Sequence, residues 1–413
     1  MTHAIRRPVL GAALLLGLGL GAGAALGQQD PLGQPPLEPY RGVTSTGTVE
    51  PGLYRLQRTG LRLQPMREAA NAFLQVLTPE QRSHTQYPLN SDVRRRWTNV
   101  ASAPRFGLSY AEMTPLQRQR ADGLLRAFLS AEGYRQSKDI MLINGYLAEA
   151  TGNTTRYGAD QFWISVYGNP AGTQPWAWRL EGHHLVLFVS VVGDQVVMTP
   201  TFMGAEPTRI PSGLHRGISV MAREEATGRA LIQSLTPAQN RRAQLSPSKQ
   251  GSNMLTEAYK DNAVVAPAGI EASQLSKRQR QLLLAVVKSY ADQYRQELSA
   301  ERLREVEEHL NQTSFAWIGQ NAVEAPIYYR IFSPVVLIEF DQQRAVSLPG
   351  DPNTPLRTHV HTIVRTPNGN DYGADLLRQH LLRDHSAQPV GSAPPAGSAS
   401  PAGSASPAAP KSP

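Results

Sequence analysis

The chain has 413 residues, of which 40% are hydrophobic and 18% charged, with a formal net charge of +8 and no cysteine. That composition excludes a disordered chain and a multi-span membrane protein, and the length allows two ordinary domains or one duplicated one. Without cysteine there is no disulfide and no thiolate ligand, so a metal would have to be held by His, Asp or Glu.

Residues 1–27 read as a signal peptide. Arg6 and Arg7 form a basic start, an apolar run follows from Val9 to Leu26, and small residues crowd Ala25-Leu26-Gly27. Export to the periplasm or beyond is expected, by the general secretory route or, given Arg6-Arg7, the twin-arginine route. An uncleaved anchor is the alternative. No stable membrane insertion is expected after cleavage, which would leave a charge of +6.

Residues 28–60, rich in Pro, Gly and Thr, are expected to form an extended arm. The basic run Arg94-Arg95-Arg96 beside Trp97 reads as a solvated helix end, and without a basic stripe no nucleic-acid partner is expected. Residues 386–413 repeat Ala-Gly-Ser-Ala-Ser-Pro from Ala396 and Ala402. They cannot bury enough surface to fold and are expected to be disordered.

Between these ends the chain repeats itself. Leu77-Thr78-Pro79-Glu80-Gln81 matches Leu235-Thr236-Pro237-Ala238-Gln239. Met113-Thr114-Pro115 through Arg118 matches Leu275-Ser276-Lys277 through Arg280, and Trp178-Arg179-Leu180 matches Tyr329-Arg330-Ile331. The order and near-constant spacing define repeat unit one over 61–215 and unit two over 216–385.

Hydroxyl residues Thr78, Thr114, Thr236 and Ser276 sit where helix caps belong, three of them followed by proline. A helix is predicted from Thr114 to a stop at Gly133, with others after Ser276, at 138–150, at 299–311 and near Asp375. Strands close each unit: Phe162–Tyr167, Ala177–Val192 and Gln195–Phe202, then Ser314–Ile318, Ile327–Asp341 and Thr358–Arg365. Gly193-Asp194 marks a tight turn. The fold class is α+β: two diverged tandem copies of a helices-then-antiparallel-meander unit, with sheets packed or joined about a pseudo-twofold axis.

Histidine carries most of the chemical signal. On a strand, Glu181 and His183 would share one face and His184 the other, whereas His359 and His361 would point the same way and could converge on one ion. Glu339 and Asp341, also two apart, are candidate carboxylates. The expected metal ligands are His183, His184, His359 and His361, with Glu339, Asp341 and Glu181 as catalytic carboxylates and a divalent metal such as zinc as cofactor. Ordinary structural hydrogen bonding of these histidines is the competing reading. Arg179, Arg330, Trp178, Tyr329 and Tyr372 are candidates to bind an unknown small anionic or sugar-like molecule, with structural ion pairing and core packing as the alternatives. His380 and His385, on the last helix, could support the ligands. No serine-hydrolase elbow, zincin helix, P-loop or dinucleotide fingerprint occurs.

Arg105-Phe106-Gly107-Leu108, Trp176 through His184, Tyr328-Tyr329-Arg330, Ile338-Glu339-Phe340-Asp341, His359 through Arg365, Asp371-Tyr372-Gly373 and Asp375-Leu376-Leu377 resemble the family known as domain of unknown function 3500. The resemblance covers roughly residues 66–385 and implies a fold boundary and a choice of site, but no activity. The segment between Gln342 and Arg357 is longer than the family pattern implies. Three functions compete: a metal-dependent, hydrolytic enzyme of the envelope, a small-ligand binding protein, and an interaction module without catalysis.

Overall fold

A computed structural model describes residues 37–386, with side chains to residue 383. The signal segment, the first part of the arm, the tail after residue 386 and the side chain of His385 lie outside the described residues.

In chain order the first half carries α1 (Gln64–Gln75), α2 (Pro79–Ser83), β1 (Gln86–Tyr87), β2 (Leu108–Ser109), α3 (Pro115–Phe128), α4 (Ala131–Thr151), β3 (Phe162–Gly168), β4 (Trp176–Gly182), β5 (Leu185–Val192), β6 (Gln195–Val197) and β7 (Thr201–Ala205). The second carries α5 (Ala222–Ser234), α6 (Pro237–Ala243), β8 (Gln244–Ser246), β9 (Ile270–Glu271), α7 (Lys277–Ala291), α8 (Gln296–Glu308), β10 (Ser314–Gly319), β11 (Ile327–Phe332), β12 (Leu337–Arg344), β13 (Pro355–Arg365) and α9 (Ala374–Ser386).

The four expected caps form for a definite reason. Thr78, Thr114, Thr236 and Ser276 each accept a bond from the backbone of a glutamine three residues on, and that glutamine's side chain returns to the cap's own N–H. Gln117 and Gln279 then donate back to the preceding helix segment, at Val76 O (3.0 Å) and Ser234 O (2.7 Å). These bonds tie α3 to the end of α1 and α7 to the end of α5, and side-chain bonds between Gln117 and Gln81 and between Gln239 and Gln279 tie α2 to α3 and α6 to α7.

The α3 prediction needs one correction. The helix does not run to Gly133 but ends at Phe128, and Ser130 caps a new helix, α4. Gly133 lies in the first turn of α4, where an added Cβ would fall 1.8 Å from Gln293 O. Its role is close approach between backbones, not termination. Gly133→Ala is therefore expected to destabilise the protein by about 1–3 kcal/mol through overpacking, read by urea melting.

The strands make one open 13-stranded sheet along the path β1-β3-β4-β5-β7-β13-β12-β11-β10-β8. Two long predicted strands are hairpins. The run 177–192 turns at His183-His184 to give β4 and β5, and the run 327–341 turns at 333–336 to give β11 and β12. Unbroken apolar character hid both turns. The predicted strand 195–202 breaks at Thr199-Pro200, where proline cannot donate a ladder bond. At the centre β7 and β13 pair antiparallel, with Val360 opposite Ala205 and His361 opposite Gly204. Outward from that pair each half runs through three antiparallel neighbours, then an edge strand paired in parallel.

Strand alternation sorts the side chains between two faces. Trp176, Trp178, Leu180, Met203, Tyr329, Phe340 and Val360 pack with the helices. Ala177, Phe188, Phe202, Leu337 and Ile363 pack instead with loop residues Val43, Trp97, Met254 and Tyr372. Arm residues 37–60 lie partly on this second side: Thr44 pairs with Val264, and Tyr54 Oη donates to Pro367 O. Among the described residues, no helix is long and apolar enough to cross a membrane.

Candidate metal centre

The loop-covered face carries an unusual load of buried charge, and its layout decides which polar residues meet. His183 and His184 occupy a two-residue turn between β4 and β5, not strand positions on opposite faces. His184 adopts φ 61°, a left-handed conformation uncommon for histidine. The turn therefore aims both rings toward one region, stacked with centroids 3.8 Å apart.

Pairing brings the third and fourth histidines to it. Gly204 donates its N–H to His184 O at 2.8 Å and lies directly opposite His361. A Cβ on Gly204 would sit 3.3 and 3.4 Å from Cδ2 of His361 and His184, and 2.4 Å from Val360 O. Glycine leaves the space in which the two imidazoles meet.

The Nε2 atoms of His184 and His361 are 3.1 Å apart, as are those of His359 and His361. All three ligand atoms lie within 4.8 Å of one another. His183 stands beside the group, its Nδ1 held at 2.9 Å by Asn144 Oδ1. Burial is the main force pushing the four rings toward the neutral form. It takes His183 down to about 3 and lowers His359, while His184 and His361 fall well below the ordinary range, with neighbouring imidazoles adding to the effect.

Neutral rings restrict the available protons. Nδ1–H of His359 donates to Arg344 O, leaving its Nε2 as a lone pair. Nε2 of His361 faces two other ring nitrogens but can offer one hydrogen, and its Nδ1 is buried without a partner. A single cation would satisfy all three converging lone pairs. Tetrahedral zinc, with Zn–N of 2.0–2.1 Å, requires ligand nitrogens about 3.3 Å apart, close to the 3.1 Å of the two pairs that include His361, with the third pair inside 4.8 Å.

The candidate carboxylates do not join this group. Glu339 accepts from Leu255 N, Thr256 N, Thr256 Oγ1 and Tyr328 Oη. Asp341 lies opposite His361 across the β12–β13 ladder, yet its oxygens are taken by Lys249 Nζ (3.0 Å), Asn253 N and Gln343 Nε2. Glu181 meets Arg179 at 2.8 Å and Arg105 at 3.0 Å, and accepts from Thr98 N. Each carboxylate anchors a covering loop to the sheet.

The candidate ligand-binding residues divide between the faces. Arg179 Nη1 donates to Val93 O, Arg330 Nη2 to Ala266 O, and Tyr372 Oη to Asp261 Oδ1. Trp178 and Tyr329 are buried on the helix side. Adjacent strand residues point to opposite faces, so these five side chains do not line one cleft. His380 does not join the histidine group; it is half-buried and bonded to Gln174.

Two supporting residues had little sequence signal. Glu206 Oε2 lies 3.8 Å from Nδ1 of His359 and raises its basicity, while the carboxylate accepts bonds from Val346, Ser347 and Leu348 N. The segment between Gln342 and Arg357 thus supplies the donors that hold Glu206. Asn144 is the second, on α4, and nothing in the local sequence ties it to His183.

The protein is thus of the α+β class, with a buried three-histidine group at the centre of an open sheet. The chain belongs to the DUF3500 family, described as a protein of unknown function, whose model matches residues 59–374. No curated protein and no solved structure matches it.

Proposed function

We propose that the protein is an exported, metal-dependent enzyme, hydrolytic in character, with His184, His359 and His361 as ligands to a divalent ion such as zinc. The convergence of three neutral Nε2 atoms carries this reading. Three histidine ligands leave one coordination position for water and acidify it, the arrangement typical of catalytic rather than closed structural sites. The bonds behind the ligands have the form a metal site needs, with Nδ1–H of His359 fixed by a backbone carbonyl and Glu206 close by. Export rests on the basic, apolar and small-residue succession of residues 1–27.

The centre is composite: His184 comes from unit one, and His359 and His361 from unit two. Duplication of one ancestral unit about a pseudo-twofold axis between β7 and β13 is supported by the mirrored strand order and the four matching capping boxes. A ligand cleft built on Arg179 and Arg330 has less support, because both cations already have protein partners, buried Glu181 for Arg179 and the Ala266 carbonyl for Arg330.

Full-length protein purified without chelator is expected to contain about one equivalent of divalent metal per chain. Chelation should lower its melting temperature, since a ligand at a hundred times its Kd stabilises by about 2.7 kcal/mol. His361→Gln, checked for folding by circular dichroism, is expected to lose the metal and the chelator response together. A folded parent protein that neither contains nor takes up zinc, cobalt or manganese would exclude the reading.

A further inference from the structure

On the opposite, helix-covered face, a cavity lies over the central strands β7 and β13, with walls from β6, α5, α7 and α8. Most of the wall is apolar: Val197, Met198, Met203, Val287, Val336 and Ile338. Its volume of about 50 Å³ gives room for roughly three or four water-sized groups.

Two buried polar atoms in this wall have no partner. Glu224, 1% exposed, receives Gln136 Nε2 at 3.1 Å and Gln293 Nε2 at 3.0 Å, both on Oε1. Its Oε2 is left unsatisfied, and so is Oε1 of Gln293. Buried polar atoms without partners cost about 1–3 kcal/mol each, so the pair calls for something to bond. Burial raises the Glu224 carboxyl above its ordinary range. With Oε1 occupied as an acceptor, the free Oε2 and the free Oε1 of Gln293 are both oxygens that a twice-donating group would satisfy. The less buried walls include Leu61, the Arg302–Glu305 ion pair and the further carboxylate Glu301, a net negative rim that disfavours an anion.

We propose that this cavity binds a small uncharged primary amide of about four non-hydrogen atoms, whose NH2 group donates to both free oxygens, Glu224 Oε2 and Gln293 Oε1. Its methyl end would lie against Val287, Val336 and Ile338, where an apolar wall favours it.

The test uses full-length protein and three probes of about four non-hydrogen atoms: acetamide, 1-propanol and acetate. Acetamide is expected to raise the melting temperature in a saturable way, with 1-propanol and acetate markedly weaker. Ala291→Val and Val287→Leu, which narrow the cavity from α7, should each weaken acetamide binding about tenfold or more. A crystal structure with acetamide should place its amide against Glu224 Oε2 and Gln293 Oε1, a result independent of whether either variant folds. Equal binding of acetate, no saturable shift with the parent protein, or density for water alone would overturn the proposal. The same titration on chelated protein and on His361→Gln should be unchanged, which separates this site from the metal reading.

Discussion

Metal-free protein is expected to lose stability steeply as the pH falls below about 6.5, the ordinary histidine value. Four histidines lie together in the fold with their basicity lowered, His183 to about 3 and the others in the same direction. In the unfolded chain each regains its ordinary pKa. Between 6.5 and the folded value the unfolded state therefore binds more protons, and acid favours unfolding. The stabilisation is complete above pH 6.5 and fades below it. At pH 5, His183 alone accounts for a loss of about 2 kcal/mol, and the other three act in the same direction. Burial raises the Asp341, Asp371 and Glu224 carboxyls, so their contribution has the opposite sign and offsets part of the loss only where carboxylates titrate. Urea melts in chelator at pH 8, 6.5 and 5 would show the trend, and His361→Gln should flatten it. A free energy constant across that range would mean the rings are not buried neutral.

Glu181→Ala is expected to be among the most damaging single substitutions in the protein, costing about 3–5 kcal/mol. Removing this carboxylate strands two cations, Arg179 and Arg105, whose side chains are 0% and 1% exposed. It also frees Thr98 N, so the segment that carries Trp97 loses its attachment. Glu181→Gln keeps the size and one acceptor and should fall between parent and alanine. Glu339→Gln makes a useful contrast. Its partners are neutral donors, Leu255 N, Thr256 and Tyr328, so no charge is stranded and the cost should be nearer the 1–3 kcal/mol of an unsatisfied group. Equal costs for the two would contradict the view that stranded cations dominate at Glu181. Equilibrium urea unfolding, with the slope unchanged, measures both.

Local chemistry made the helices legible. A hydroxyl residue followed three positions on by glutamine satisfies the first free N–H groups of a helix wherever it occurs, so the four caps needed no tertiary information. The alternation in Thr358-His359-Val360-His361-Thr362 likewise placed two rings on one face, and they lie together. The Gly193-Asp194 turn was readable from its residue types, and β5 pairs with β6 around it. The His183-His184 turn was not, because histidine rarely takes positive φ and the flanking residues are as apolar as a continuous buried strand. Gly133 misled for a related reason. Glycine ends helices often enough to suggest a stop, whereas here it is needed by the passing Gln293 backbone.

By itself, then, the amino-acid order determined the helix starts, the dominant antiparallel character and which histidines were candidates for a shared site. Those features depend on contacts within a few residues, or on the sheet's two-residue period. Only tertiary pairing decided that β7 lies between β5 and β13, and so that His184 meets His361 across Gly204. The same pairing committed Glu181, Glu339 and Asp341 to anchoring loops rather than to the histidine group. A carboxylate's role depends on which donors surround it, and those donors come from segments about 80 residues away in the chain for all three.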